Sequence, residues 1–436
     1  MNTLSKELIE FLNKSHSEFN AISNIKNILI NEGFKELKES NLWTLLRGEK
    51  YFITRNDSSI IAFTINNFMA NYRFDICASH SDSPCLKIKM CDDIISNGYH
   101  KLAVENYGGL IKSTWLDKPL SVAGRVIVKN GNEFSSLIVD IDKNLLSIPN
   151  TCIHFNREIN KGYEYNTQVD LMPIIGKDYE TKNSIKALIS KEYGISEENI
   201  FSYDLYLYNR ELASFGGIND EFIMSPKIDN LESAFLSLKG FLKSEQKKNI
   251  SVYCVFNNEE IGSMSGNGAD STFLSDVLQR INFSLGRNIE EYQCAIAKSV
   301  LLSIDNAHGV HPNHPELSDP NNLVELNKGV VVKLNSNMAY TTDAFSLSLV
   351  KELCNRNNIS YQLFYNRSDI RGGGTLGAIS LSHVSLTSID IGLAQLAMHS
   401  NYELAGSNDC ESMFALVENF YTNDFSIEES KIKFLN

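Results

Sequence analysis

An α/β fold built on a sheet with parallel strands is what this sequence predicts, with a second, β-rich unit set into it. Three observations carry the prediction. Short apolar runs such as 250–256 alternate with amphipathic helical stretches, the pattern of β-α-β units. Between residues 89 and 202 the texture changes, and Gly and Asn punctuate short β-like runs. The chain has 436 residues, enough for two domains at roughly 100–200 residues each.

The elements follow in order. The first 35 residues read as helical, with Leu8, Leu12, Phe19, Ile22, Ile25, Ile28 and Leu29 at near-helical spacing. Strand-like runs follow at 51–54, 59–64 and 72–78, and the last leads straight into His80. The β-rich unit contains runs at 120–128 and 136–141. After it a helix begins at Leu231, with Ala234, Phe235, Leu238, Phe241 and Leu242 on one face. Buried strands are expected at 250–256, 299–304 and 388–393. A final helix carries Met413, Phe414, Leu416, Val417, Phe420 and Tyr421, and the tail after Phe425 reads as loose.

A composition with 43% hydrophobic and 21% charged residues suits a globular chain with a large core. The net charge of −13 disfavours nucleic acid as a partner, because phosphate backbones call for Lys/Arg clusters. No run of about 18 apolar residues suggests a membrane span, and the N-terminal residues do not read as a signal peptide. The eight cysteines, at 77, 85, 91, 152, 254, 294, 354 and 410, form no CxxC pair. They read as reduced thiols, and a cytoplasmic location is expected.

Open α/β sheets bind ligands beyond the carboxyl ends of their strands. His80, the pair Glu259-Glu260, Asp305 and His399 each fall just past an apolar run, and Asp229 opens an amphipathic helix. Singly, each has an ordinary explanation: a satisfied polar residue, a solvated pair, a strand end, a first-turn acid. Together, two imidazoles and three carboxylates suit two zinc-type ions, one carboxylate bridging both. Glu259 beside them fits a proton acceptor, and Asp82 fits an orienting partner for His80. Residues 305–315 hold three of the nine histidines, His308, His311 and His314. Residues 371–377 are glycine-rich but lack the Lys-Ser/Thr ending of a P-loop. HExxH and GxSxG are both absent, which disfavours a helix-borne single-zinc protease and a serine hydrolase.

Several segments together resemble the M18 metallo-aminopeptidases, the aspartyl aminopeptidase family. They are His80-Ser81-Asp82-Ser83-Pro84-Cys85-Leu86, Tyr107-Gly108-Gly109 with Ser113-Thr114-Trp115-Leu116-Asp117, and Ile153-His154-Phe155-Asn156-Arg157. Further on come Ser225-Pro226-Lys227-Ile228-Asp229-Asn230-Leu231, Asn258-Glu259-Glu260-Ile261-Gly262-Ser263, Asp305-Asn306-Ala307-His308 and Gln395-Leu396-Ala397-Met398-His399-Ser400. The order is the family's from about residue 75 to 405, and the combination is far more specific than any one piece.

The resemblance implies a discontinuous peptidase domain, 1–88 and 203–436, with a mixed, mostly parallel central sheet flanked by helices. It implies an inserted β-rich dimerisation domain at 89–202, and dimers that assemble into a tetrahedral homododecamer. It implies hydrolysis of N-terminal residues from peptides, acidic ones (Asp/Glu) being the family preference, with two divalent ions per chain, Zn²⁺ first and Co²⁺ or Mn²⁺ as substitutes. By position, His80 and Asp305 would hold one ion, Glu260 and His399 the other, and Asp229 would bridge. Glu259 would be the general base and Asp82 would support His80. His154 matches a histidine that reaches a neighbouring subunit's site. His308 would face the substrate carbonyl, and Lys333 would meet an acidic side chain. Asn150 and Tyr402 depart from the family pattern, and so do residues 336–341 after the Lys333-x-Asn335 core. A broad or neutral-residue two-metal aminopeptidase or deacylase is the alternative enzyme. An inactive scaffold or cargo protein is the non-enzyme alternative.

Overall fold

Runs that are apolar on both faces need cover on both sides, and they form the middle of a nine-stranded sheet. In this computed structural model, residues 3–66, 72–177, 183–244, 248–370 and 372–435 are described. Arg371, the first residue of the glycine-rich segment, lies outside them. The sheet contains β1 (Lys35–Glu36), β2 (Lys50–Arg55), β3 (Ser59–Thr64), β4 (Phe74–His80) and β5 (Ile250–Phe256). It continues with β6 (Val300–Ile304), β7 (Val330–Leu334), β8 (Tyr361–Tyr365) and β9 (Thr387–Gly392). The spatial order is β1-β2-β3-β5-β4-β6-β9-β7-β8. The central four, β5, β4, β6 and β9, are mutually parallel. β3 and β7 run antiparallel to them on either side, so the sheet is mixed.

Helices cover both faces. One layer packs Ile228–Lys243, Asp409–Thr422, Ala344–Arg356 and the N-terminal helices on Tyr253, Val255, Leu302 and Ile391. The other packs Phe273–Ser284 and Ile289–Lys298 on Phe74, Ile76, Val252 and Cys254. The N-terminal region is two helices, Thr3–Leu12 and Glu18–Asn31, because Ser17 stops the pattern and caps the second by accepting the Asn20 N–H.

A second sheet, all antiparallel, joins Glu133–Asp140, Leu120–Asn130, Ile200–Asn209, Cys85–Ile88 and Val104–Tyr107 in that order. It has its own core of Leu120, Val122, Val126, Leu205 and Leu207. Its strands begin at Cys85 and end at Asn209, a few residues outside the expected 89–202 segment. A third, small sheet joins Ser214–Gly216, Phe222–Ser225, Glu403–Gly406, Ala394–Leu396 and Ala307–His308.

The expected loose tail is instead a hairpin, Phe425–Glu428 with Lys431–Phe434. Phe425 is fully buried, and the Arg73 guanidinium lies 3.7 Å from its ring centroid.

Where helix Ile228–Lys243 crosses helix Asp409–Thr422, Gly240 allows the contact. A Cβ there would sit 2.7 Å from Val417 Cβ and 3.0 Å from the Glu418 nitrogen. Gly240→Ala should therefore destabilise by about 1–3 kcal/mol through overpacking, although alanine is the better helix former by ~1 kcal/mol. Urea denaturation measures it; an unchanged or raised midpoint would contradict this packing.

Candidate metal centre

The carboxyl ends of the central strands meet at one point. β4 ends in His80, Glu259-Glu260 lie in a short turn three residues after β5, and Asp305 follows β6. Asp229 was expected in a regular first helical turn, but its backbone is non-helical (φ −78°, ψ 108°) and its peptide bond to Asn230 is cis. His399 sits in a turn between two strands of the small sheet. Left-handed backbone recurs at these turns, at Lys227 (φ 61°), Asn258 (φ 63°), Ala397 (φ 57°) and His399 (φ 67°). Non-glycine residues adopt it at a cost and cluster where a site demands it.

These turns aim side chains at a common centre. His80 Nε2 is 3.5 Å from Asp229 Oδ1 and 3.4 Å from Asp305 Oδ1. His399 Nε2 is 3.7 Å from Asp229 Oδ2 and 3.3 Å from Glu260 Oε2. Three overlapping sets each place their donor atoms within 4.8 Å of one another: His80-Asp229-Asp305, Asp229-Glu260-His399 and His80-Glu259-Glu260. The His80 side chain is 1% exposed and that of His399 32%, so the cluster is closed at its base and open at the His399 rim.

Its electrostatics are those of anions crowded out of water. Burial alone would lower the His80 imidazole, but Asp229, Asp305 and Asp82 reverse the sign and hold it well above its ordinary value. Burial and then the Asp229 charge push Glu260 far up. Glu259 rises to about 8 through burial and the Asp305, Asp82 and Asp229 charges, against the pull of His80. Burial would raise Asp305 too, but Lys333 and His80 hold it well below the carboxylate range. Asp229 Oδ1 and Glu260 Oε1 are buried and find no hydrogen-bond partner among the described residues. Imidazole nitrogens, carboxylates and orphaned buried acceptors form a donor set that fits a divalent borderline metal.

The supports differ from expectation. His80 Nδ1 lies 3.0 Å from the Asp82 backbone carbonyl and 3.6 Å from its carboxylate. The Asp82 carboxylate instead accepts the backbone N–H of Glu259 at Oδ1 and of Glu260 at Oδ2, both at 3.1 Å. It also accepts the Tyr107 hydroxyl at 2.8 Å. Tyr107-Gly108-Gly109, at the edge of the second sheet, thus reaches the centre, which residue spacing did not indicate. Gly109 O is 3.1 Å from His399 Nδ1, fixing Nε2 as the nitrogen that faces the cluster. Gly108 (φ 73°) lies against Glu260. The repeated glycine after an aromatic was the available signal.

Lys333 is buried, with Nζ 3.4 Å from Asp305 Oδ2 and donating to the Asn306 carbonyl at 2.8 Å. His308 is exposed at the rim, its ring 6.1 Å from that of Phe364. His154 stands exposed on a loop of the second unit, apart from the three donor sets. His311 and His314 face each other with ring centroids 5.2 Å apart, away from the cluster's donor sets.

An α/β sheet ending in an imidazole–carboxylate cluster defines a metallohydrolase-like class. Within it, the chain belongs to the M18 peptidases: the family model for "Aminopeptidase I zinc metalloprotease (M18)" matches residues 11–421. It is a metallo-aminopeptidase, a hydrolase of peptide bonds. The probable M18 family aminopeptidase 2 of Clostridium acetobutylicum is 42% identical over 424 residues, 96% of this chain and 98% of that one. Among solved structures, the cryo-EM structure of the Ape4 and Nbr1 complex superposes with a TM-score of 0.93 at 34% identity, covering 96% of this chain and 85% of that chain. The S. cerevisiae mApe1 dodecamer superposes at 0.83 with 26% identity, covering 96% of each.

Gly108 gives a direct test of how the second unit supports the cluster. A Cβ there would lie 3.1 Å from Glu260 Cβ on a left-handed backbone. Gly108→Ala should weaken zinc binding by roughly 10–100-fold, the range for supporting residues. A chelator-competition titration reads it; wild-type affinity would show that Glu260 tolerates the displacement.

Proposed function

We propose that this chain is a two-ion aminopeptidase that removes N-terminal residues from peptides. One observation carries the reading: Asp229 turns one carboxylate oxygen toward His80 and the other toward His399. In this reading His80, Asp305 and Asp229 hold one zinc ion, and Glu260, His399 and Asp229 hold the second. Co²⁺ or Mn²⁺ suits the same donors. Bound ions would supply a nucleophilic water at neutral pH and neutralise charge developing on the scissile carbonyl.

The chain's own groups do the rest. Glu259 would take the proton of the attacking water and return it to the leaving amine, the two transfers that one positioned carboxylate can serve. Asp82 holds the backbone of Glu259 and Glu260, and so the base and its neighbour move together. His308 at the rim faces the carbonyl of an entering peptide.

Preference for an acidic N-terminal residue rests on Lys333, a fixed positive charge in the wall of the site. A second, neutral-residue reading is favoured by the same contact, since that ammonium is already engaged by Asp305 and the Asn306 carbonyl.

We further propose that residues 89–202 are an inserted dimerisation domain and that dimers build a tetrahedral dodecamer. Exposed Ile153 (48%) and Phe155 (86%) on either side of His154 support an interface there. The dodecameric mApe1 neighbour supports the assembly. His154 would then complete a partner's site. Eight free cysteines, five of them buried, support a reducing, cytoplasmic setting.

Metal analysis of the purified protein should find two ions per chain; about one would remove the dinuclear reading. Glu259→Gln should keep both ions and lose about 10²–10⁴-fold in turnover, and near-normal turnover would rule out Glu259 as base. A panel of aminoacyl substrates should favour Asp and Glu over Leu and Ala, while a flat panel would select the neutral-residue reading.

A further inference from the structure

We infer that Glu403 is a positioning residue, which locks the backbone of two donors of the second ion into one unit; this rests on the two-ion reading above. Glu403 is 3% exposed, at the start of a strand in the small sheet. Its Oε1 accepts the His399 N–H at 2.8 Å and its Oε2 accepts the Asp229 N–H at 3.0 Å. Asp229 and His399 are far apart in sequence and sit on different elements, yet one carboxylate spans them. The third donor of that ion, Glu260, is held in the same manner by Asp82. Each donor backbone of this half of the cluster is thus fixed by a buried carboxylate that is in none of the three donor sets.

The bond extends to the other half. Gln395 Nε2 donates to Glu403 Oε1 at 3.4 Å, and Gln395 Oε1 accepts Asn306 Nδ2 at 2.7 Å. Asn306 follows Asp305 and also donates to Glu232 Oε2 at 3.1 Å while accepting the Ser233 hydroxyl at 2.7 Å. The segments carrying Asp229, Asp305 and His399 are therefore joined by one buried chain of hydrogen bonds. Only a carboxylate satisfies its head. Backbone N–H groups donate to both of its oxygens, with the Gln395 amide a third donor, and a glutamine would turn an NH₂ toward one of those backbone donors. The freed amide would be buried and unpaired. His399, already on left-handed backbone, would then have less to hold it.

The test uses the full-length assembly with zinc alone as probe. Glu403→Gln should weaken the ion assigned to Glu260, His399 and Asp229 by about 10–100-fold in chelator competition, and weaken the ion that shares only Asp229 with it by less. Asp409→Asn is the matched control. Asp409 is equally buried and holds the Asn327 and Gly329 amides, which carry no donor of the cluster; both affinities should stay. Wild-type binding of both ions by Glu403→Gln would overturn the inference, as would equal weakening in the Asp409 control. If the variant does not fold, amide exchange on metal-free wild type decides: the Asp229 and His399 amides should exchange slowly, and fast exchange at either overturns it. A wild type that binds one ion would sink the two-ion reading only. Glu403 would then be judged on that ion, with unchanged affinity in Glu403→Gln overturning its role.

Discussion

Six carboxylates, Asp82, Asp229, Glu259, Glu260, Asp305 and Glu403, are withdrawn from water around the carboxyl ends of β4, β5 and β6. Left alone they would repel one another, protonate, or pull the strand ends apart. The surrounding structure divides them into two kinds. Asp82 and Glu403 are satisfied by backbone amides of the turns that carry the other acids. Asp229 and Glu260 each keep a buried oxygen without a hydrogen-bond partner among the described residues. The first kind fixes the second in place, and the second kind is left with charge to offer. His80, raised far above its ordinary value by these neighbours, reports the same imbalance.

The irregular backbone follows from that division. An amide can reach Asp82 or Glu403 only if the chain turns sharply after its strand, and the left-handed residues Asn258, Ala397 and His399 make those turns. Regular strand geometry would point the next side chain to the opposite face of the sheet. The small sheet that carries Ala307–His308, Ala394–Leu396 and Glu403–Gly406 holds two of the turns together at the rim. Strain in the turns is thereby set against hydrogen bonds that regular strands could not make.

Much of this was legible in the sequence, and the reason is particular to each part. Residues 59–64 and 250–256 read as strands because they are apolar on both faces, and the structure has strands with those bounds. His80, Glu260, Asp305 and His399 could be singled out because each follows such a run. Local pattern did not show that the Asp82 carboxylate would serve amides rather than His80, because those amides lie on a turn distant in sequence. Glu403 was invisible for the same reason: its partners are main-chain groups, which leave no residue type to recognise. Lys333 read as a contact for an acidic side chain, and its burial against Asp305 left no local signal because Lys333 lies on β7 and Asp305 follows β6. The tail read as loose because Arg73, which stacks on Phe425, lies far away in the chain. The first 35 residues read as one helical stretch because the apolar spacing runs across the break that Ser17 caps.

The second sheet has a consequence for how the molecule comes together. Its first and last strands in chain order, Cys85–Ile88 and Ile200–Asn209, are neighbours, with Tyr206 opposite Lys87. A long excursion between His80 and Asp229 thus returns to where it left. Loop-closure entropy grows with the number of free residues between two points that must meet. Once the excursion has folded through its own antiparallel pairings, β4 and the Asp229 segment are separated by a clasp and not by a flexible loop. Parallel neighbours such as β4 and β5, which are slow to find each other at long sequence separation, are brought into range by it. The unit that interrupts the chain acts as the staple that shortens it.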